Sequence, residues 1–313
     1  MRLSLLIVLC CLGVELYAQI PSNPTYQSIY TIENVQFKSV GVSLAGAIFK
    51  PKNPHAAVIL VHGSGQEKRM INLASNLANN GIAVLTYDKR GVGESGGVYA
   101  GPEVGTNNID SANLNLLALD ASAAAQSLFS HLSDKNIPLG LVGFSQAGWV
   151  IPIAAEKNSE VCFIVLFSGP AVTTLEQLRF QFYTNGNTNF WEAHTDADVR
   201  EHIKNDPDRY QFPATDPLNA LIRLKIPGLW LYGGRDIQVP VGLSIERLDM
   251  LKAQGKFYKY QLFPTLGHKT AFSKSQEPFN AALRWIKNIS HRYKKNGYRK
   301  GNLDKPEKKK TCN

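Results

Sequence analysis

Cysteine is scarce in this 313-residue chain, and its four occurrences form no pattern. Cys10 and Cys11 lie together in an apolar N-terminal stretch, Cys162 lies inside another apolar run, and Cys312 lies next to the C-terminal residue. Such spacing gives no disulfide framework. The seven histidines are scattered with no cysteine pair nearby, so we predict neither a metal site nor another cofactor.

The sequence also lacks a hydrophobic run of about 20 residues, the length that a membrane-spanning helix needs. The apolar run Leu3–Val14 follows a single arginine, and its length and flank are those of a signal-peptide core. We expect residues 1–18 to be a signal peptide and the mature protein to be exported, to the periplasm or beyond, with no transmembrane segment. Lipid anchoring at Cys10 or Cys11 fits less well, because neither follows a pair of small residues.

Acidic residues are fewer than basic ones, and the formal net charge is +9. Most of the excess lies in residues 292–313, where nine basic residues stand against Asp304 and Glu307, a balance of +7. The rest of the chain is close to neutral, so no basic face for nucleic acid is predicted. We expect residues 291–313 to form a solvated, disordered tail, with contact to an anionic surface as the alternative.

Short apolar runs alternate with longer amphipathic segments along the body of the chain, residues 19–290. Continuous apolar strands that alternate with helices indicate a mostly parallel sheet covered on both faces, the α/β class. The predicted strands are Ile32–Phe37, Val42–Phe49, Ala57–Val61, Ile82–Tyr87, Pro138–Phe144, Val161–Phe167, Leu229–Tyr232 and Tyr258–Phe263. The predicted helices are Asn72–Asn80, Leu114–Leu132, Ala147–Lys157, Val241–Ala253 and Glu277–Ile289.

One stretch breaks this alternation. Between Pro170 and Pro227 no strand-like run occurs, and aromatic residues are mixed with polar ones. We interpret residues 171–226 as a mostly helical cap inserted into the body rather than as an independent domain. Its aromatic residues fit a partly apolar pocket and ordinary helix packing equally well.

The segment Gly143-Phe144-Ser145-Gln146-Ala147 joins a predicted strand to a predicted helix. This order is typical of the nucleophile elbow, a strained turn that lifts a serine hydroxyl above the sheet. Small residues are needed two positions before and after the serine, because strand and helix backbones approach closely there. Gly143 fills the first position, and Ala147 stands where glycine is usual. We therefore predict that Ser145 is a nucleophile.

A serine hydroxyl reacts well only when a base removes its proton and an acid orients that base. Asp236 follows a predicted strand and a Gly-Gly turn, and His268 lies in the loop after the next strand. The order Ser, Asp, His suits three groups that meet at one edge of a parallel sheet. The sequence therefore predicts a catalytic triad of Ser145, Asp236 and His268.

A tetrahedral intermediate carries a negative charge that backbone N–H groups must stabilise. Gln146, directly after the nucleophile, supplies one donor. The loop His62-Gly63-Ser64-Gly65 follows another strand, and we predict that the Ser64 amide supplies the second donor. A phosphate-binding role for this loop is less fitting, since the Gly-x-Gly-x-x-Gly spacing of dinucleotide sites is absent. His62 then anchors the loop.

Together with the elbow and the two acid and base loops, the His62–Gly65 loop and the segment Tyr87-Asp88-Lys89-Arg90-Gly91-Val92-Gly93-Glu94-Ser95 resemble the α/β-hydrolase superfamily. The likeness is to its bacterial esterase-like branch, related to dienelactone hydrolases and S9- or S33-type serine peptidases, and extends from Glu33 to Ile289. It implies an eight-stranded, mostly parallel sheet with an antiparallel second strand, helices on both faces and a cap after the sixth strand. It also implies that Asp88 and Arg90 are structural.

These residues predict a serine hydrolase that cleaves a carboxylic ester, or a related acyl bond, of a small molecule through an acyl-enzyme. Amide hydrolysis of the aminopeptidase type is one alternative, in which Glu176 or Glu192 would bind a free amino terminus. A non-catalytic binding protein on the same scaffold is another alternative, although binding alone does not need Ser145, Asp236 and His268 together.

Overall fold

The computed structural model describes residues 29–206 and 213–295. The expected signal peptide and residues 296–313 of the expected tail lie outside these ranges and remain predictions. Within the two ranges, no helix is long and apolar enough to cross a membrane. The same ranges contain no group of three or more His, Cys, Asp and Glu side chains placed to hold a metal ion.

Eight strands of the described chain form one sheet in the spatial order β1-β2-β4-β3-β5-β6-β7-β8. Strand β2 runs antiparallel to β1 and β4, and the other neighbouring pairs are parallel. This architecture confirms the predicted fold class, including the antiparallel second strand. The strands are β1 (Tyr30–Ser39), β2 (Val42–Pro51), β3 (Ala56–Val61), β4 (Ile82–Tyr87), β5 (Leu139–Phe144), β6 (Val161–Phe167), β7 (Gly228–Gly233) and β8 (Tyr258–Phe263).

Helices cover both faces of the sheet, and alternate residues of each central strand serve the two faces. In β3, Ile59 belongs to the apolar cluster on one face of the sheet, whereas Val58 and Leu60 belong to the cluster on the other face. All three side chains are fully buried, which explains why the strand is a continuous apolar run. The helices are α1 (Ile71–Asn79), α2 (Ser111–His131), α3 (Ala147–Lys157), α4 (Thr174–Thr184), α5 (Phe190–Ala193), α6 (Asp196–Asn205), α7 (Leu218–Leu221), α8 (Val241–Ala253) and α9 (Glu277–Lys295).

The segment between β6 and β7 contains helices α4 to α7. It has a small apolar cluster of its own, formed by Phe180, Phe190, Val199 and Ile203. Aromatic edges meet inside it, since the rings of Phe180 and Phe190 are perpendicular with centroids 6.0 Å apart. Some aromatic residues of the cap therefore serve helix packing, which is one of the two interpretations given above.

Helix α9 ends later than the sequence indicated. It continues to Lys295, so residues 291–295 are helical and the expected tail boundary at residue 291 is too early. Ile289 and Ser290 are buried just before residues 291–295, and within them the Tyr293 hydroxyl lies 4.0 Å from the Cys162 sulfur in β6. The helix therefore continues into the basic sequence, where Tyr293 contacts β6.

Candidate active site

Ser145 lies at the turn between β5 and α3, in a conformation that a serine rarely adopts. Its φ is +53°, in the left-handed region, and such strain is held only where the surroundings impose it. Its N–H donates to the Phe167 carbonyl (3.1 Å) and its carbonyl accepts from Gly148 (2.8 Å). The turn is thus fixed from the neighbouring strand and from the helix.

Close backbone packing explains the small residues around Ser145. A Cβ on Gly143 would lie 2.6 Å from the Ala147 Cβ and 2.7 Å from the Val61 carbonyl oxygen. A Cβ on Gly148 would lie 2.4 Å from Pro170. The close approach therefore needs glycine at 143 and at 148, and the methyl group of Ala147 fits between them.

Asp236 and His268 meet at the same edge of the sheet. The His268 ring pairs its Nδ1 with Asp236 Oδ2 at 2.8 Å, and Asp236 is fully buried. The other carboxylate oxygen accepts the N–H groups of Gln238 (2.8 Å) and Val239 (3.0 Å). With Oδ2 facing the ring and Oδ1 bound by backbone, the carboxylate has one orientation.

Ser145 and His268 line one cavity of about 650 Å³, together with Phe144 and Phe272. Among the described residues, no hydrogen bond joins the Ser145 hydroxyl to the His268 ring. Such bonds are often long in ligand-free enzymes and shorten when substrate binds. The structure therefore brings the three predicted triad residues to one site, with the Asp–His pair already bonded.

A second cavity of about 470 Å³ lies on the cap side of Ser145. Helix α4 contributes Gln177, Leu178, Gln181 and Phe182 to its wall, and Gln238 belongs to the walls of both cavities. Of the described residues that line it, none carries a charged side chain. This cavity is therefore polar through amide and hydroxyl groups and apolar elsewhere.

The two predicted oxyanion donors lie beside Ser145. Ser64 and Gln146 line the 470 Å³ cavity with it, and Ser64 lines the larger cavity too. In the part of the chain that the structure describes, neither the Ser64 N–H nor the Gln146 N–H donates to another protein group. Unpaired N–H groups at a cavity wall are available to a ligand oxygen.

The loop that carries Ser64 is anchored from several sides. His62 is buried, and its Nε2 lies 2.6 Å from the Tyr87 carbonyl, which agrees with a structural role. Burial, assisted by the nearby Lys89 charge, lowers the pKa of His62 to about 3, so it stays neutral. The Ser64 carbonyl accepts from Tyr99 Oη (3.0 Å) and Asn108 Nδ2 (3.1 Å).

Two charged residues in the turn after β4 form ion pairs with residues elsewhere in the chain. Asp88 accepts from the Arg69 guanidinium at 2.9 and 3.1 Å, and the Arg90 guanidinium binds the buried Asp120 carboxylate. Asp88 and Arg90 are thus structural, as the resemblance implied. Lys89, which lies between them, is buried and reaches the Ser64 loop, a contact that sequence reasoning missed.

The two glutamates considered for binding an amino terminus have other partners. Glu176 forms a capping box with Thr173 at the start of α4 and pairs with Arg247. Glu192 is exposed, 4.0 Å from Arg235. Neither lines the two cavities at Ser145. The capping-box spacing Thr-x-x-Glu was visible in the sequence and could have indicated the role of Glu176.

Known proteins resemble this chain in sequence and in fold. Esterase EstD of Thermotoga maritima is 27% identical over 236 residues, which cover 66% of this chain and 53% of that protein. The chain thus spans about half the length of this curated relative. Solved structures with the same fold include an esterase from Pyrococcus furiosus, with a TM-score of 0.58 and 19% identity over 88% of this chain and 94% of that one. An acylaminoacyl peptidase from Pyrococcus horikoshii has a TM-score of 0.60 and 16% identity over 85% of this chain and 42% of that one.

A family model described as serine aminopeptidase, S33, matches residues 52–275, from the loop after β2 to the segment before α9. The match includes every strand from β3 to β8, the cap and all five predicted site residues. The chain therefore belongs to the S33 serine aminopeptidase family of the α/β-hydrolase superfamily.

Proposed function

We propose that this protein is a serine hydrolase that cleaves a carboxylic ester of a small molecule through a triad of Ser145, His268 and Asp236. The observation that carries the proposal is the 2.8 Å hydrogen bond between His268 and the buried Asp236, at a cavity that Ser145 and His268 line. The relative EstD is an esterase, which supports an ester as the substrate.

The first step uses the strained turn at Ser145. Its Oγ attacks the ester carbonyl carbon while His268 Nε2 takes the hydroxyl proton, and Asp236 stabilises the imidazolium that forms. The carbonyl π electrons move to the oxygen. The Ser64 and Gln146 N–H groups, which have no hydrogen-bond partner among the described residues, stabilise the oxyanion.

The breakdown of the tetrahedral intermediate indicates which cavity binds the leaving group and which binds the acyl group. The carbonyl re-forms, the bond to the leaving alcohol breaks, and His268 donates its proton to the departing oxygen. Because His268 lines the 650 Å³ cavity and not the 470 Å³ one, the leaving group occupies the larger cavity. The acyl group then lies under the cap. Water, activated by His268, hydrolyses the acyl-enzyme by the reverse sequence.

The cap-side cavity also favours an uncharged acyl group. The described residues that line it include amides such as Gln177 and Gln181 but carry no ionised group. A free ammonium or carboxylate would lose its hydration there without a counter-ion, which is costly. This argues for a neutral acyl ester over an aminoacyl substrate.

Amide hydrolysis is the second candidate, supported by the description of the family model as a serine aminopeptidase. The two are separated by comparing p-nitrophenyl butyrate, p-nitrophenyl hemisuccinate and aminoacyl naphthylamides as substrates. We expect the butyrate ester to have the highest kcat/KM. A higher kcat/KM for the naphthylamides would establish the peptidase activity instead.

Variants test the nucleophile. Ser145→Ala should abolish hydrolysis of the butyrate ester and leave the fold intact, because only one hydroxyl at a cavity wall is removed. Ser130→Ala, at an exposed serine near the end of α2, is the matched control and should retain full activity. A correctly folded and fully active Ser145→Ala enzyme would contradict the mechanism.

A further inference from the structure

Lys89 is a buried lysine that the mechanism above leaves unused. Only 2% of its surface is exposed, although it lies in the turn after β4 between two residues engaged in ion pairs. Its ammonium donates to the Gly63 carbonyl (2.6 Å), the Gly65 carbonyl (3.2 Å) and the Gln146 side-chain oxygen (3.1 Å). One cation therefore binds the segments that carry both proposed oxyanion donors.

The shortest of these bonds controls a peptide plane. The Gly63 carbonyl and the Ser64 N–H belong to the same peptide group, and in a planar trans peptide they point in opposite directions. Holding the Gly63 oxygen towards Lys89 therefore directs the Ser64 N–H away from Lys89. The positive charge also polarises this peptide group and makes the N–H a stronger donor.

The second donor is held through its own side chain. Gln146 gives its Oε1 to Lys89 and donates through Nε2 to the Asn108 carbonyl (2.7 Å). Asn108 in turn donates to the Ser64 carbonyl (3.1 Å). The hydrogen bonds thus form a closed ring from the Ser64 loop to Gln146 and back.

We propose that Lys89 is a positioning residue for the oxyanion hole, which fixes the Ser64 N–H through the Gly63 carbonyl and fixes Gln146 through its side chain. The proposal rests on the proposed serine hydrolase function. Lys89 itself lines neither of the two cavities at Ser145.

The protonation state of Lys89 predicts a pH dependence of kcat. Burial lowers the pKa of Lys89 to about 8, and the Glu67 and Glu103 carboxylates act in the opposite direction. Three other groups lie near Lys89. The Tyr99 ring centroid is 5.6 Å from its Nζ, His62 is neutral, and Asp88 is paired with Arg69. A neutral amine has two N–H groups for three acceptors, so one bond of the ring is lost above this pH.

Lys89→Met tests the proposal, since it keeps an unbranched side chain of nearly the same length and removes its charge and donors. Loss of an oxyanion donor costs about 10²–10³ in kcat, so a misdirected donor should lower kcat by roughly 10- to 100-fold. We expect KM for p-nitrophenyl butyrate to stay within about threefold, because the donors act mainly on the transition state. Inhibition by a trifluoromethyl ketone, which forms an oxyanion on Ser145, should weaken in parallel with kcat.

Lys256→Met is the matched control. Its ammonium also donates to two backbone carbonyls, those of Ile222 and Leu224, but at the opposite end of the sheet from Ser145. It should keep the wild-type kcat. A folded Lys89→Met enzyme with wild-type kcat, or an equal loss of kcat in both variants, would overturn the proposal.

The wild-type enzyme provides a test that does not depend on the folding of a variant. Its kcat should fall as pH rises above about 8 with KM unchanged, and Lys89→Met should lack this alkaline limb. A wild-type kcat that stays constant from pH 7 to 10 would refute the role of Lys89. If the wild-type protein neither hydrolyses the ester nor reacts with a fluorophosphonate, the proposed function fails first and this proposal fails with it.

Discussion

Replacing Asp236 with asparagine changes one atom of the site and leaves its shape intact. In the wild-type protein, Oδ2 pairs with the His268 Nδ1–H while Oδ1 accepts two backbone N–H groups, from Gln238 and Val239. Asparagine has a single oxygen, so one side of the group becomes an NH₂ donor. The side chain can then satisfy either the backbone or the wild-type tautomer of His268, but not both.

The backbone determines which orientation asparagine takes. If NH₂ faced the backbone, the N–H groups of Gln238 and Val239 would both lose their acceptor. A buried unsatisfied N–H costs about 1–3 kcal/mol, hence roughly 2–6 kcal/mol for the pair. The NH₂ therefore faces His268, and Nδ1 becomes the acceptor. The ring proton then lies on Nε2, where the proton of Ser145 has to go.

We therefore expect Asp236→Asn to lower kcat for p-nitrophenyl butyrate by about 10⁴, as amide replacement of the triad acid does elsewhere. This corresponds to about 5 kcal/mol of transition-state stabilisation. KM should change little, because Asp236 does not line either cavity at Ser145.

Asp249→Asn, which alters a carboxylate bound to Tyr260 on the surface, is the matched control and should be fully active. A thermal melt of both variants checks the fold. An Asp236→Asn enzyme with kcat within tenfold of wild type would refute the assignment of the acid.

Three further outcomes are expected. Arg90→Met should lower the free energy of unfolding in urea by about 3–5 kcal/mol, because it leaves the buried Asp120 carboxylate unpaired. Arg223→Met, which breaks an exposed pair with Glu156, should lower it by under about 1 kcal/mol. Equal effects of the two substitutions would contradict the buried role of Arg90. The folded-state pKa of His62 is about 3. The unfolded chain therefore gains the proton first as pH falls below about 6.5, and the free energy of unfolding should drop by up to about 1.4 kcal/mol per pH unit between pH 6 and 4. His62→Gln should lack this component in urea titrations, and parallel curves for both proteins would refute it. Deleting residues 296–313 should leave Tm and the kcat for p-nitrophenyl butyrate unchanged, since the described part of helix α9 reaches Lys295 without them. A large loss of either would show that these residues contact the body.

The central strands could be predicted almost residue by residue because they are buried on both faces. Ile82–Tyr87 is apolar or β-branched throughout and is bounded by Gly81 and Asp88, so its limits are visible in the sequence. Strand β1 is longer than predicted, Tyr30–Ser39 instead of Ile32–Phe37, because its ends lack the apolar alternation of a strand: Thr31 and Lys38 are exposed, and Ser39 is polar although it is buried. The end of α9 was missed for a related reason, since a basic sequence gave no sign that Tyr293 contacts β6.

The candidate triad could be predicted because its residues lie in loops whose sequences are themselves informative. Gly143 and Gly148 mark the elbow, and the Gly-Gly turn marks the position of Asp236. The supporting contacts could not be predicted, because they join residues far apart in the chain. Lys89 reads as a surface lysine in a turn until the fold places Gly63 and Gln146 beside it, 26 and 57 positions away.

The most direct test of the account is covalent labelling of the wild-type protein with a fluorophosphonate, followed by mass spectrometry of its peptides. The reagent reacts with a serine only when a base activates it and an oxyanion hole receives the phosphoryl oxygen. We predict one label on Ser145, formed in step with the loss of esterase activity and absent from Ser145→Ala. Absence of labelling, or a label on another serine that accounts for the lost activity, would contradict the proposed mechanism.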